Sequence, residues 1–243
     1  MADGKSIKNI VVLGASGAIG SAIVKVASKL NPDAKIHAFS RTYLASNTNI
    51  TYNLIDYYDE HSIKCSAELS SFEEPINMVI VATGILHNAN IMPEKSLQNI
   101  SINKFETLFK INTIAPAIIA KYFIPKLDKT SPSYFGILSA RVGSISDNFL
   151  GGWYAYRASK AALNMMIKTV SIETVRKNKN AIVVGLHPGT VDSQLSKPFQ
   201  ASLPKEQLFS AEYAAHCLIN VLTNLKATDS GKCFDYKAQE ILP

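Results

Sequence analysis

The chain has 243 residues, of which 47% are hydrophobic and 18% charged, against about 25% charged in an average globular protein. That balance excludes a disordered chain, which lacks the apolar residues to form a core, and 12 glycines with 10 prolines exclude a collagen-like or low-complexity one. The net charge of +6 is scattered, and its densest stretch, Val175-Arg176-Lys177-Asn178-Lys179-Asn180, reads as cations at a helix C-terminus and not as a nucleic-acid patch.

Residues 7–13 are mainly apolar and β-branched, as in a buried parallel strand. A helix is predicted over 17–30, with Ile19, Ile23, Val26, Ala27 and Leu30 on one face, stopped by Asn31-Pro32-Asp33. Strands follow at 35–40, 49–54 and 77–82, with a polar helix over 59–69 between the last two. A long helix over 102–127 leads to a strand at 134–139, and another over 154–176 leads to a strand at 181–186. A helix at 210–225 and a strand at 233–236 complete the pattern. The alternation predicts a doubly wound (Rossmann) α/β fold: one domain over 1–243, with about seven parallel strands and helices on both faces. Ligands of such sheets bind at the carboxyl ends of the strands.

Cys65, Cys217 and Cys233 form no CxxC pair, so free thiols are expected and neither a zinc site nor a disulfide framework. His87 and His187 have no carboxylate or cysteine at ligand spacing, and no metal is expected. The opening Met-Ala-Asp-Gly-Lys-Ser-Ile-Lys lacks an apolar signal stretch. Apolar runs such as 114–120 fall short of the ~20 residues of a membrane span. A cytoplasmic protein binding neither membrane nor nucleic acid is the expectation.

Gly14-Ala15-Ser16-Gly17-Ala18-Ile19-Gly20 follows the first strand. Glycines there permit a tight turn and let the backbone approach a pyrophosphate seated on the helix N-terminus. This assigns Gly14, Ser16, Gly17, Ala18, Ile19 and Gly20 to a dinucleotide. The second strand ends in Ser40-Arg41, without an acidic residue for a ribose 2′-hydroxyl. A guanidinium suits a 2′-phosphate, so NADP(H) is expected over NAD(H).

Tyr156 and Lys160 stand four residues apart in a predicted helix, on one face. A free phenol titrates near about 10, and a neighbouring ammonium favours its ionised form, as a general acid for a carbonyl oxygen needs. They follow a fifth strand whose end carries Ser139.

These segments together resemble the short-chain dehydrogenase/reductase superfamily over essentially the whole chain. In that resemblance Gly14 and Gly20 take the first and last glycine positions of the G-x-x-x-G-x-G turn, Gly17 is extra and Ala18 replaces the middle glycine. Asp56 matches the aspartate set against the adenine amino group. Ala82, Thr83 and Gly84 replace an Asn-Ala-Gly segment whose backbone touches the cofactor. Asn112 matches the asparagine that holds a proton-relay water, and Tyr156 with Lys160 the catalytic pair, the lysine also binding nicotinamide-ribose hydroxyls. Pro188, Gly189, Val191 and Ser193 match the segment that covers the nicotinamide. The serine that orients the carbonyl aligns with Ala140, so Ser139 serves only if a bulge turns it inward, with Ser144 the other hydroxyl in reach.

Ala-Thr-Gly-Ile-Leu-His (82–87), residues 139–145, 151–164 and 230–236 are similar to the C-factor-like, sniffer-like carbonyl reductase branch. The resemblance implies NADPH-dependent reduction of a small or medium apolar ketone or aldehyde, with Tyr156 as acid, Lys160 as its modulator and Ser139 orienting the carbonyl. The alternative is a catalytically weak NADP(H)-binding signalling protein. Residues 193–209, with Leu195, Pro198, Phe199, Leu203 and Pro204, read as an apolar lid. Salt bridges are favoured for Arg141 and Arg157, and Trp153 either walls the pocket or packs. The helices carrying Asn112 and Tyr156 are compatible with a homodimer or homotetramer.

Overall fold

A computed structural model describes residues 7–46, 48–201 and 204–243. β1 (Asn9–Leu13) is buried along its whole length and is followed by α1 (Ala18–Leu30). β2 (Lys35–Ser40) and β3 (Ile50–Leu54) come next. α2 (Glu60–Ser70) starts at Asp59, whose carboxylate accepts from the His61 and Ser62 N–H groups, and leads to β4 (Met78–Val81). α3 (Ile102–Phe109), a π turn at Lys110–Ile114 and α4 (Ala115–Phe123) precede β5 (Ser133–Leu138). α5 (Tyr154–Lys177) precedes β6 (Ala181–His187). β7 (Thr190–Val191) pairs in a separate small ladder with β8 (Leu208–Phe209). α6 (Ala211–Asn224), β9 (Cys233–Asp235) and β10 (Glu240–Ile241) complete the order.

The main sheet has eight strands in the order β10-β9-β6-β5-β4-β1-β2-β3. Seven are parallel, as expected, and β10 is added antiparallel to β9. From β1 the chain runs outward to β3, then crosses back to β4 on the other side of β1. The crevice at this reversal is where an open α/β sheet takes its ligand. Alternate strand residues serve opposite faces. Ile10, Val12 and Ile80 pack under α1 and α6 with Ile23 and Leu222. Val11, Leu13 and Val79 pack under α2, α4 and α5 with Ile63, Phe123 and Leu163. The three cysteines are free thiols.

Two expectations change. The helix over 102–127 is broken by the π turn, because Pro116 lacks the N–H that would continue the α-helical ladder to the carbonyl of Asn112. The stretch Ile102–Lys126 is also long and apolar enough, by length and composition, to cross a membrane, contrary to the expectation that no such stretch exists. In the fold it is a core element, with Ile119 and Phe123 fully buried against the sheet.

Candidate active site

A cavity of about 630 Å³ opens at the β1/β4 reversal, beyond the carboxyl ends of the strands. Its floor is the glycine turn. Gly14 has φ +89°, and a Cβ on it would lie 2.8 Å from the Ala82 carbonyl carbon. A Cβ on Gly20 would meet the Gly14 oxygen at 2.1 Å, so this glycine lets α1 sit against the turn. Gly17 caps α1 with no side-chain hydrogen bond, and no acidic residue stands in the first turn. The first N–H groups of α1 therefore face the cavity uncapped, a setting that favours an anion. Ala18 is the first helical residue, so its methyl group is accommodated without strain. Ser16, Gly17, Ala18 and Ile19 all line the cavity.

Tyr57, which sequence reasoning missed, fastens this turn from below. Its hydroxyl accepts from the Gly14 N–H at 2.7 Å and donates to the Phe39 carbonyl at 3.2 Å. Burial holds the phenol well above its ordinary pKa. Ser40 and Arg41 line the adjoining wall, and the Ser40 hydroxyl donates to the Thr42 carbonyl. Arg41 is exposed, and among the described residues no carboxylate forms an ion pair with it. Asp56 is exposed and caps the Tyr58 N–H at 2.8 Å. It stands outside the cavity lining, where Tyr57 and Tyr58 are found instead.

Ala82, Thr83 and Gly84 form the central wall, and the buried Thr83 Oγ1 has no hydrogen-bond partner among the described residues. That unpartnered oxygen, the open helix N-terminus and the glycine cradle fit a phosphate-bearing dinucleotide.

Behind Gly84 two of the predicted reacting groups, Asn112 and Lys160, come together. A Cβ on Gly84 would lie 3.5 Å from Asn112 Oδ1 and 3.7 Å from Lys160 Nζ. Asn112, on the π turn and fully buried, accepts from the Ile85 N–H at 2.8 Å. It donates to the Ile85 carbonyl at 2.9 Å and to Ser159 Oγ at 3.1 Å. Lys160 Nζ donates to the Leu138 carbonyl at 2.9 Å, and burial pushes its pKa down to about 8. The Tyr156 phenol, one turn earlier on α5, is pushed up to about 12 by burial. The expected lowering by the lysine is not found, and burial alone sets the direction.

Residues 8–203 match the sequence family described as short chain dehydrogenase. The chain belongs to that family. It is 32% identical to C-signal of Myxococcus xanthus over 133 residues, 55% of this chain and 75% of that protein. It is 25% identical over 248 residues to benzil reductase ((S)-benzoin forming) of Bacillus subtilis, covering 93% of this chain and 97% of that one. NADPH-bound carbonyl reductase from chicken fatty liver matches the fold with a TM-score of 0.85 at 23% identity, over 99% of this chain and 96% of its own. The carbonyl reductase Sniffer of D. melanogaster does so at 0.84 and 19% identity, over 98% and 100%. Short chain dehydrogenases are oxidoreductases that bind a nicotinamide cofactor and act on small molecules, and the cavity fits such a cofactor.

In this short chain dehydrogenase the serine assignment is corrected. Ser139 donates to Asn164 Oδ1 at 2.6 Å, two turns along α5 from Tyr156, while Ala140 packs with the apolar cluster around Tyr156. No bulge reverses the alternation, so the strand geometry that argued against Ser139 prevails. Ser144 is occupied by the Asp147 N–H and Ser146.

Pro188 and Val191 are buried and stand outside the cavity lining, and Gly189, at φ +74°, packs on the Phe209 ring. The following residues, Ser193, Gln194 and Leu195, reach the cavity. His87 Nε2 donates across to the Gln194 and Leu195 carbonyls at 3.1 and 3.2 Å, tying this lid to the segment after β4. Leu203 of the predicted lid lies outside the described residues. Trp153 packs in the apolar cluster around Tyr156, its ring centroid 6.1 Å from that of Tyr156 and 5.0 Å from that of Phe199. Arg141 forms ion pairs with Asp147 and Asp235. Among the described residues Arg157 makes no salt bridge, and it donates instead to the Gly151, Gly152 and Val142 carbonyls.

Proposed function

We propose that this short chain dehydrogenase reduces the carbonyl of a small or medium apolar ketone or aldehyde, using NADPH in preference to NADH. The convergence of Asn112 and Lys160 on Gly84, within the wall that continues into the glycine turn, carries the reading. The cofactor supplies hydride when bound. Tyr156, held protonated near neutral pH by its burial, donates its proton to the carbonyl oxygen as that oxygen gains charge. The Lys160 ammonium stabilises the phenolate left behind and hydrogen-bonds nicotinamide-ribose hydroxyls, and Asn112 anchors the water that returns the proton. Ser139 has no part in this scheme.

Arg41, exposed on the cavity wall, binds the 2′-phosphate. The rings of Trp153, Phe199 and His87 (His87 to Phe199, 5.7 Å) offer aromatic faces to the substrate. They favour a carbonyl bearing an aryl group, in keeping with the benzil reductase relative. NADPH oxidation measured against a panel of aliphatic aldehydes, aryl ketones and diketones tests the reading. Turnover is expected with the aryl members first, and no turnover on any member contradicts it.

A second reading, a nucleotide-bound signalling protein, is favoured by Ala140 at the aligned serine position and by the C-signal relative. Tight NADPH binding with no turnover, together with a protein partner recovered in a pull-down, selects it.

A further inference from the structure

The start of α5 is held by a residue from a distant part of the chain. The N-cap of this helix is Trp153, which makes no side-chain cap. Trp153 also has φ 52° and ψ 41°, a left-handed conformation that a bulky residue adopts only when its surroundings impose it. Gly151 and Gly152 before it are both at φ 64°. Three successive left-handed residues thus deliver the chain into the helix that carries Tyr156 and Lys160.

Glu94, between β4 and α3, closes this junction twice. Its carbonyl accepts from the Trp153 N–H at 2.6 Å. Its Oε2 accepts from the Ala155 N–H at 3.3 Å, inside the first turn of α5. One residue thereby satisfies two backbone donors at a helix start with no cap of its own, and places a carboxylate at the positive end of the helix. Glu94 is only 2% exposed, and its Oε1 has no hydrogen-bond partner among the described residues. Burying a half-satisfied carboxylate is costly, so an ordinary cap does not explain why it is there. The Trp153 ring beside it stands edge to face with Tyr156 and against Phe199.

We infer that Glu94 is a positioning residue: by capping α5 and imposing the left-handed backbone of Trp153, it holds that ring across the Tyr156 phenol and sets the substrate wall. The consequence for turnover rests on the reductase reading, whereas the placement of Trp153 does not. Without the Glu94 carboxylate the Ala155 N–H loses its acceptor, and the backbone bond from Trp153 to the Glu94 carbonyl is left alone to hold the junction. The junction then relaxes to ordinary backbone angles and the ring leaves the phenol.

Trp153 is the single tryptophan, so its emission reports this contact directly. Glu94→Ala is expected to red-shift that emission in the absence of substrate. With an aryl carbonyl it lowers kcat at least about tenfold, and NADPH affinity stays within about twofold because the cofactor wall is separate. Glu94→Gln, which keeps an oxygen acceptor for Ala155, restores emission and kcat. Unchanged emission in Glu94→Ala overturns the inference, as does a lower Tm without change in emission or kcat, or a Glu94→Gln no better than alanine. Should Glu94→Ala not fold, Glu94→Asp, which keeps the charge but withdraws it by one methylene, must show the same red shift, and its absence overturns the inference. An inactive wild type with the predicted emission changes sinks the reductase reading alone.

Discussion

The two halves of the candidate site are made of different material, and only the first of them lines the cavity. The half at β1, β2 and the end of β4 is backbone: Gly14, Gly17, Gly20 and the Ala82–Gly84 segment, with an uncapped helix N-terminus and few side chains. The half at α5 is a set of side chains that hold one another. Asn112 is tied to Ile85 and Ser159, Ser139 to Asn164, Lys160 to the Leu138 carbonyl and Glu94 to Ala155. A backbone cradle suits the diphosphate common to all dinucleotides, and in the proposed function its specificity comes from one added side chain, Arg41. The side-chain half instead fixes two titratable groups in a dry place, where desolvation sets their pKa values. Substitutions in the first half are therefore expected to act on binding, and those in the second on rate.

The largest separation is expected from Lys160→Met. Turnover should fall on the order of 10²–10⁴-fold, while stability at neutral pH holds or rises, because a buried ammonium pushed down to about 8 is destabilising in its charged form. Steady-state kinetics and thermal melts on one preparation check both signs.

Acid acts on both halves together. His37 and His187 are each pushed down to about 4, by burial first and then by Lys35 and Arg141 respectively. Unfolding therefore takes up protons that the folded state refuses. Their contribution is full above the unfolded pKa of about 6.5 and is lost as pH falls from there through about 4. Urea unfolding at about pH 7 and about pH 4.5 should differ by roughly 4–5 kcal/mol, with His187→Gln removing about half of the difference.

Arg41→Asp should weaken NADPH roughly 10–100-fold while changing NADH little, as for a charge-assisted bond to phosphate. Equal effects on the two cofactors break the assignment of specificity to this residue. Tyr57→Phe is the mildest change: losing the bonds to Gly14 and Phe39 should cost about 1 kcal/mol of stability and a few-fold in cofactor affinity, without altering kcat.

The sheet, its parallel order and the glycine turn were legible because strand and helix periods, and a glycine where no Cβ fits, are local properties of the chain. The π turn also had a local sign in Pro116, although helical spacing alone masks it. What escaped was tertiary. Tyr57 reaches Gly14 across 43 residues of sequence and Glu94 reaches Ala155 across 61, and neither belongs to a spaced motif. Asp56, assigned by resemblance, uses one carboxylate oxygen on the Tyr58 backbone. For Ser139 the alternation of a strand was the better guide than the presence of a hydroxyl. The phenol pKa was expected to fall beside Lys160, but burial, which no spacing reveals, raises it.

The central claim is that the cofactor cradle and the proton donor are separable, and Tyr156→Phe measured for NADPH affinity and carbonyl turnover tests it most directly. The account predicts an NADPH Kd within about twofold of wild type and turnover lower on the order of 10²–10⁴-fold. Turnover equal to wild type on every carbonyl that wild type reduces, or loss of NADPH binding in a folded variant, would contradict it.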